Sequence, residues 1–337
     1  MTAEKRREIV SAVDEAIRSG ARQVKCCEVL SLCERRLERW RKEREDRRVG
    51  GYRAHGQRLS AEEYQTATVL VKQAATSGRP LRAVYAEQLD AGQHVASPAT
   101  LYRIRKALLP APARLSPCRT LRRRISIAAE AVNRIWCWDI TPMRLRVGLG
   151  WCYFYAFLDL YSRKLMAYTV EVREDGHLAR DVLAEAIQRW IADPALLTVH
   201  SDNGSPMKHE KLVGMLHQLQ VRITRGRPNV SDDNAFIESL FATFKSRASY
   251  PEYFGNLDEA RAFCARFVEW YNSSHRHSRL DWLTPNEVYE GRAAVIQRGR
   301  NEVLEQVRAM RPNRFGTRRK VFSVPSPATL RWVLIKN

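Results

Sequence analysis

Apolar residues recur at helical intervals between Ala3 and Gly20, at Ile9, Val10, Val13 and Ile17, and the repeat stops at a glycine suited to a helix C-terminus. A short segment around Val24 to Leu30 follows, then Cys33 to Arg44, with Leu37 and Trp40 on one face and Glu34, Arg35, Arg36, Arg39 and Arg41 on the other. Three short helices with a basic third predict a helix-turn-helix DNA-binding domain over residues 1–50, with Arg36 and Arg39 as candidate DNA contacts. The pattern returns over residues 58–109. Ser60-Ala-Glu-Glu63 is a capping box opening a helix to about Ser77. Pro80 suits the first turn of a second helix. Ser97-Pro98 caps a third, Ala99 to Leu108, which presents Thr100, Tyr102, Arg103, Arg105 and Lys106. Two such triads, joined by the polar stretch Arg47 to Arg58, predict a bipartite DNA reader, the second with Arg103 and Lys106 toward DNA.

Prolines at 110, 112 and 117 deny regular helix to residues 110–133, so this stretch reads as a linker whose Arg122, Arg123 and Arg124 track a phosphate backbone. Beyond Asn133 the period changes. Ile135 to Ile140, Trp151 to Leu160 and Leu165 to Val172 are aromatic and β-branched runs bounded by turn residues, which predicts three consecutive strands. The middle run is apolar at every position and belongs at the centre of a sheet. Asp175 then caps a helix through Trp190. A strand from Leu196 to His200, a helix near Leu212 to Leu219, a strand from Val221 to Thr224 and helices from Asn234 and Leu257 follow. The expected fold over residues 134–290 is an α/β layer with helices on both sides. Residues 291–337 carry a helical stretch through Met310, a basic patch from Arg311 to Lys320 and two β-like runs, which suggest a small C-terminal β module.

Charge and composition narrow the class. The 337 residues exceed one ordinary core, and 45% hydrophobic with 28% charged residues is a globular balance. No apolar stretch is long enough for a membrane span, and the charged N-terminus lacks a signal-peptide pattern, so a cytoplasmic protein with no membrane partner is expected. Of a net charge of +20, +12 lies in residues 1–133, where 27 basic residues face 15 acidic ones. Such charge attracts a densely negative partner, most commonly nucleic acid. Seven scattered cysteines form no paired C-x-x-C pattern, which argues against a zinc module.

The candidate chemistry lies in three carboxylates on separate elements. Asp139 falls inside the first predicted core strand, Asp202 just past the carboxyl end of a later strand, and Glu238 on a helix. Open α/β sheets place ligands at strand carboxyl ends. Crowded carboxylates need a neutralising cation, and all-oxygen ligation favours Mg²⁺ or Mn²⁺. Two such ions about 3.5 to 4 Å apart suit phosphodiester chemistry. The turn-rich stretch Arg222 to Asp233 precedes the Glu238 helix, with Arg225 and Arg227 as candidate phosphate contacts and Asp233 as a helix cap. His275 and His277 lack the partners of a metal site, and Trp136, Trp138 and Tyr271 suit core packing better than base stacking.

Trp136-x-x-Asp139-x-Thr141, His200-Ser-Asp202-Asn-Gly204, Asp233-Asn234-Ala-x-x-Glu238-Ser-x-Phe-x-x-x-Lys245 and Tyr271-Asn-x-x-His-x-His277-x-x-Leu-x-x-x-Thr284-Pro285 resemble the catalytic core of bacterial insertion-sequence transposases related to retroviral integrases. The resemblance covers about residues 130–290. It implies a ribonuclease-H-like fold, an acidic triad with 35 residues between Asp202 and Glu238, and two Mg²⁺ ions, with Asp139 bridging both, Asp202 on one and Glu238 on the other. It further implies that Lys245 approaches a phosphate of the transposon end and that a homo-oligomer acts on double-stranded DNA, both element ends and target, on the bacterial nucleoid. Where relatives usually carry arginine, this chain has His275. The function expected is DNA transposition: metal-dependent hydrolysis at the element ends, then attack of a 3′-hydroxyl on target DNA. A metal-dependent nuclease or resolvase without joining, and a DNA-binding regulator without catalysis, are the alternatives.

Overall fold

Period-two alternation in Trp151–Asp159 sends Phe154, Ala156 and Leu158 to one face of a sheet and Tyr155 and Phe157 to the other, and both faces are covered by apolar neighbours. In a computed structural model of the chain, residues 3–42, 58–109, 126–146, 148, 150–226, 234–315, 321–325, 328–331 and 334–335 are described. They divide into two compact units, Met1–Arg58 and Leu59–Asn337.

The first unit holds α1 (Ala3–Arg18), α2 (Gln23–Val29) and α3 (Glu34–Lys42). Val13, Cys27 and Leu37 form its small core. Arg41 ties the end of α3 back, its Nε donating to Asp14 Oδ1 at 3.0 Å and its Nη1 to Gln23 Oε1 at 2.7 Å. Arg36 and Arg39 stay exposed on the opposite face of the helix.

The second unit opens with α4 (Ala61–Thr76), α5 (Leu81–Asp90) and α6 (Pro98–Leu108). The expected capping box is present, with Ser60 Oγ accepting from Glu63 N–H and the Glu63 carboxylate accepting from Ser60 N–H. Pro80 is the cap of α5 and not part of its first turn, because its ψ of 131° is extended. This triad does not close its own core: Val71, Leu81, Leu89 and Leu101 pack with Leu304 and Phe322 from near the other end of the chain.

The sheet follows. β1 (Ser126–Ala129), β2 (Ile135–Arg144), β3 (Trp151–Asp159), β4 (Leu165–Glu171), α7 (Gly176–Trp190), β5 (Thr198–Ser201), α8 (Glu210–Gln218), β6 (Arg222–Arg225), α9 (Ala235–Lys245), α10 (Leu257–Ser273), α11 (Pro285–Tyr289), α12 (Ala293–Met310), β7 (Ala328–Arg331) and β8 (Leu334–Ile335) complete the chain. Six strands run in the order β4-β3-β2-β5-β6-β8. β4, β3 and β2 are an antiparallel meander, and β5 and β6 join it in parallel. β2 continues past Ile140 through Pro142 to pair Arg144 with Trp151, so the proline sits inside the strand where the residue pattern had suggested an end. On one face α9 and α10 bury Phe241, Phe244, Phe263 and Phe267 against β3. On the other, α7 and α8 bury Leu183, Ile187, Leu212 and Leu216 against Trp136, Trp138 and Phe157. This is the mixed, doubly covered sheet of a ribonuclease-H-like core. The expected C-terminal β module is absent as a separate body among the described residues: β8 extends the main sheet beside β6, and β7 pairs with β1.

Charge holds α5 to the C-terminal half. Arg300 is almost fully buried and grips Asp90 through Nε at 2.6 Å and Nη2 at 3.0 Å. Arg276 Nη2 reaches the same carboxylate at 2.8 Å. Asp281 and Trp282, both at positive φ, turn their carbonyls to accept from Arg300 at 3.0 and 3.2 Å. A bulky residue in that region is strained, so the arginine anchors the turn as well as the helix. Asp90→Asn leaves the buried Arg300 guanidinium without its counter-charge and is expected to destabilise this unit by about 3–5 kcal/mol in urea unfolding. A loss below about 1 kcal/mol would mean the pair is exposed enough for water to replace it.

Candidate active site

The register of the sheet sets two of the three carboxylates side by side. Cys137 on β2 lies opposite His200 on the parallel strand β5. Asp139 and Asp202, each two residues further on, therefore come level, Asp139 in the middle of β2 and Asp202 just past the carboxyl end of β5, on adjoining strands whose spacing is about 4.8 Å. Glu238 arrives from the covering layer, in the first turn of α9. Asn234, buried just before that helix, donates from Nδ2 to Trp138 O at 3.3 Å and ties the start of α9 to β2 one residue from Asp139. The positive end of a helix suits a carboxylate there.

Electrostatics records this convergence. Burial, with the Asp202, Glu238 and Glu174 carboxylates adding to it, pushes Asp139 up to about 7, against the pull of the Ile140 N–H. The aspartates meanwhile rest on local donors, Asp139 Oδ1 accepting from Ile140 N–H at 2.8 Å and Asp202 Oδ1 from Gly204 N–H at 2.8 Å. Among the described residues no group of three His, Cys, Asp or Glu side chains is gathered so as to hold a metal ion. The donor set nevertheless fits a hard divalent cation: the Asp202 and Glu238 carboxylates add to the upward push on Asp139, and a cation relieves such repulsion. Glu174, exposed just beyond β4, is a fourth carboxylate in this field that the sequence pattern did not single out. It sits in a turn with no spacing signal of its own.

The other expected site residues fall into three groups. Lys245 is exposed at the end of α9, and Arg36, Arg39, Arg103 and Lys106 are exposed on α3 and α6. Arg122, Arg123, Arg124, Arg227 and Asp233 lie outside the described residues. Arg225 departs from its expected role: it is 8% exposed, and its Nη2 donates to Met207 O at 3.2 Å, so it faces the interior where a phosphate contact was expected. The reason is its place as the last residue of a strand inside the sheet. His275 and His277 are half-buried beside the core, His275 lying nearly parallel to the buried Tyr271 with ring centroids 5.3 Å apart. Burial lowers their pKa values to about 4 and about 3. Trp136, Trp138 and Tyr271 are buried in the core as expected.

A mixed sheet covered on both sides, with acidic residues from two adjoining strands and a covering helix, defines the class of ribonuclease-H-like cores. Residues 129–231 match a family described as Integrase core domain, and residues 219–285 match a second family of the same description. Over residues 129–285 the chain is therefore similar to integrase core domains. It is 28% identical over 160 residues to the Transposase for insertion sequence element IS904 of Lactococcus lactis subsp. lactis (strain IL1403), an alignment of 47% of this chain and 62% of that protein. It is 30% identical over 160 residues to Transposase InsF for insertion sequence IS3A of Escherichia coli (strain K12), covering 47% and 54%. The chain thus spans less than two thirds of the length of these relatives. Among solved structures, the catalytic core domain of BIV integrase is similar at 18% identity and a TM-score of 0.37, covering 48% of this chain and 97% of that one. The HTLV-2 integrase catalytic core in complex with magnesium is similar at 12% identity and a TM-score of 0.35, covering 47% and 97%.

A raised folded pKa makes the ionised form of Asp139 the unfavourable one. Its contribution to stability is full below about pH 4, where the unfolded carboxyl is also protonated, and is lost as pH rises through about 7. In EDTA, Asp139→Asn is therefore expected to melt higher than the parent at pH 8, with the gain shrinking as pH falls toward 4. A gain equal at pH 4 and pH 8 would show that ionisation of Asp139 is not its source.

Proposed function

We propose that this protein is a DNA transposase that binds transposon ends, cleaves them by metal-dependent hydrolysis and joins the freed 3′-hydroxyl to target DNA by transesterification. The observation that carries this reading is the register that sets Asp139 on β2 beside Asp202 at the end of β5, with Glu238 on the covering helix α9, in a stretch that matches integrase core families. Asp139, Asp202 and Glu238 would hold two Mg²⁺ or Mn²⁺ ions, which when bound supply Lewis acidity to the attacking and leaving oxygens of a phosphodiester. The chain's own part is to set the carboxylates level and keep them on rigid elements. No Ser, Cys or Tyr nucleophile is required.

DNA is bound, in this reading, by a first reader in residues 1–50, a second in 58–109 and the linker 110–133, ahead of the catalytic core 134–290 and the C-terminal segment 291–337. Arg36, Arg39, Arg103, Lys106 and Lys245 contact phosphates, supported by their exposure and by the net charge of +20. Holding two ends at once calls for a homo-oligomer on DNA. The bacterial relatives support a cytoplasmic site of action on the nucleoid, and no helix among the described residues is long and apolar enough to cross a membrane.

Two experiments test this. With a duplex carrying the element end, Mg²⁺ and a plasmid target, the parent is expected to give joined products and Asp202→Asn none. Cleavage without joining would replace the transposase by a nuclease, and binding with neither by a regulator. In filter binding across a salt series, Arg39→Ala or Arg103→Ala is each expected to flatten the log-affinity against log-salt slope by about 1. An unchanged slope would remove that residue from the interface.

A further inference from the structure

Asp202 sits at the head of a loop, residues 202–209, that leaves β5 and returns to α8, and it coordinates well only if that loop is held. Ser201, the residue before it, pairs with Arg225 on β6, and Gly226 N–H donates to Ser201 O at 2.9 Å. From that paired position the Arg225 guanidinium turns inward beneath the loop to donate to Met207 O at 3.2 Å. Met207 is itself buried, 4% exposed, against the core on the α7 and α8 face. Asn203 Nδ2 bonds Gly226 O, a second tie between the loop and the end of β6. A guanidinium is costly to bury, and the Nε of Arg225 has no hydrogen-bond partner among the described residues. Its retention in the sheet therefore calls for a task inside it.

We propose that Arg225 is a positioning residue for Asp202, acting through the 202–209 loop and not on a DNA phosphate. This rests on the metal-site reading above. The far end of the loop carries an independent brace. His209 packs against His177 with ring centroids 4.4 Å apart, and it lies so close to Gly176 that a Cβ there would stand 2.2 Å from His209 Cβ. Gly176 keeps the space that the loop's last residue fills, so Gly176→Ala pushes the loop from the opposite end to Arg225. Lysine cannot replace the arginine fully, because an ammonium lacks the planar fork that spans from β6 to the Met207 carbonyl.

The test is Mn²⁺ titration of the full chain, read as the rise in melting temperature, with affinity for a mixed-sequence DNA duplex in EDTA measured beside it. Arg225→Gln is expected to need roughly tenfold more Mn²⁺ for half the rise, the scale on which residues behind a metal ligand act. Arg225→Lys should fall between it and the parent, Gly176→Ala should shift in the same direction, and duplex affinity should stay within about twofold, well under the tenfold worth about 1.4 kcal/mol. An intact Mn²⁺ response in the parent, lost in Asp202→Asn but unchanged in both Arg225 variants, overturns the inference alone. So does weakened duplex binding in EDTA with parental Mn²⁺ demand, which returns Arg225 to a phosphate contact. No Mn²⁺ response in the parent overturns the metal reading and the inference together. If Arg225→Gln does not fold, Arg225→Lys and Gly176→Ala carry the same comparison.

Discussion

The structure turns on the repulsion among carboxylates that the sheet register forces together. β2 and β5 run parallel with Cys137 opposite His200, and this alone makes Asp139 and Asp202 neighbours. Neither can move away without slipping a strand, and a one-residue slip would turn the buried Trp136 and Trp138 to the wrong face. The apolar burial on both faces is what holds like charges in place. Glu238 is placed by packing and not by register, because Ile237, Leu240 and Phe244 of the same helix are buried against the sheet. Its place in the first turn of α9 gives it a helix-terminal partial charge that the aspartates lack.

Two carboxylates are thus set by strand register and the third by helix packing. Asp139 and Asp202 rest on backbone N–H groups at 2.8 Å. Asn234 links α9 to β2 through one hydrogen bond to Trp138 O, and its Oδ1 finds no partner among the described residues. Glu238 thus approaches from a helix held to the sheet by its buried apolar face and by the Asn234 bond.

Much of this was legible in the chain itself. Period-two runs marked β2, β3 and β4, and local chemistry marked the helix starts at Ser60, Ser97 and Asp175, because caps and alternation are written within a few residues of where they act. Asp139, Asp202 and Glu238 stood out as candidates because they sit in recognisable local motifs. What could not be read was pairing over long separations. Asp90 meets Arg276 and Arg300 from far along the chain, and β8 pairs with β6 through a backbone register that leaves no trace in side-chain pattern. Glu174 escaped notice for the same reason: it joins the acidic field from the turn beyond β4, two strands across the sheet from Asp139.

The arginines show why charge in a sequence is ambiguous. Arg225 and Arg103 look alike as letters, each in a basic, polar stretch, yet one is 8% exposed within the sheet and the other is exposed on a helix. Arg300 and Arg276 are likewise committed to Asp90 within the fold. A net charge of +20 therefore overstates the positive charge left on the surface and understates the internal work that arginine does. The planar guanidinium suits both tasks, since the same fork that grips a phosphate grips a carboxylate or a carbonyl. Burial decides between them, and burial follows from the strand register that also places the carboxylates.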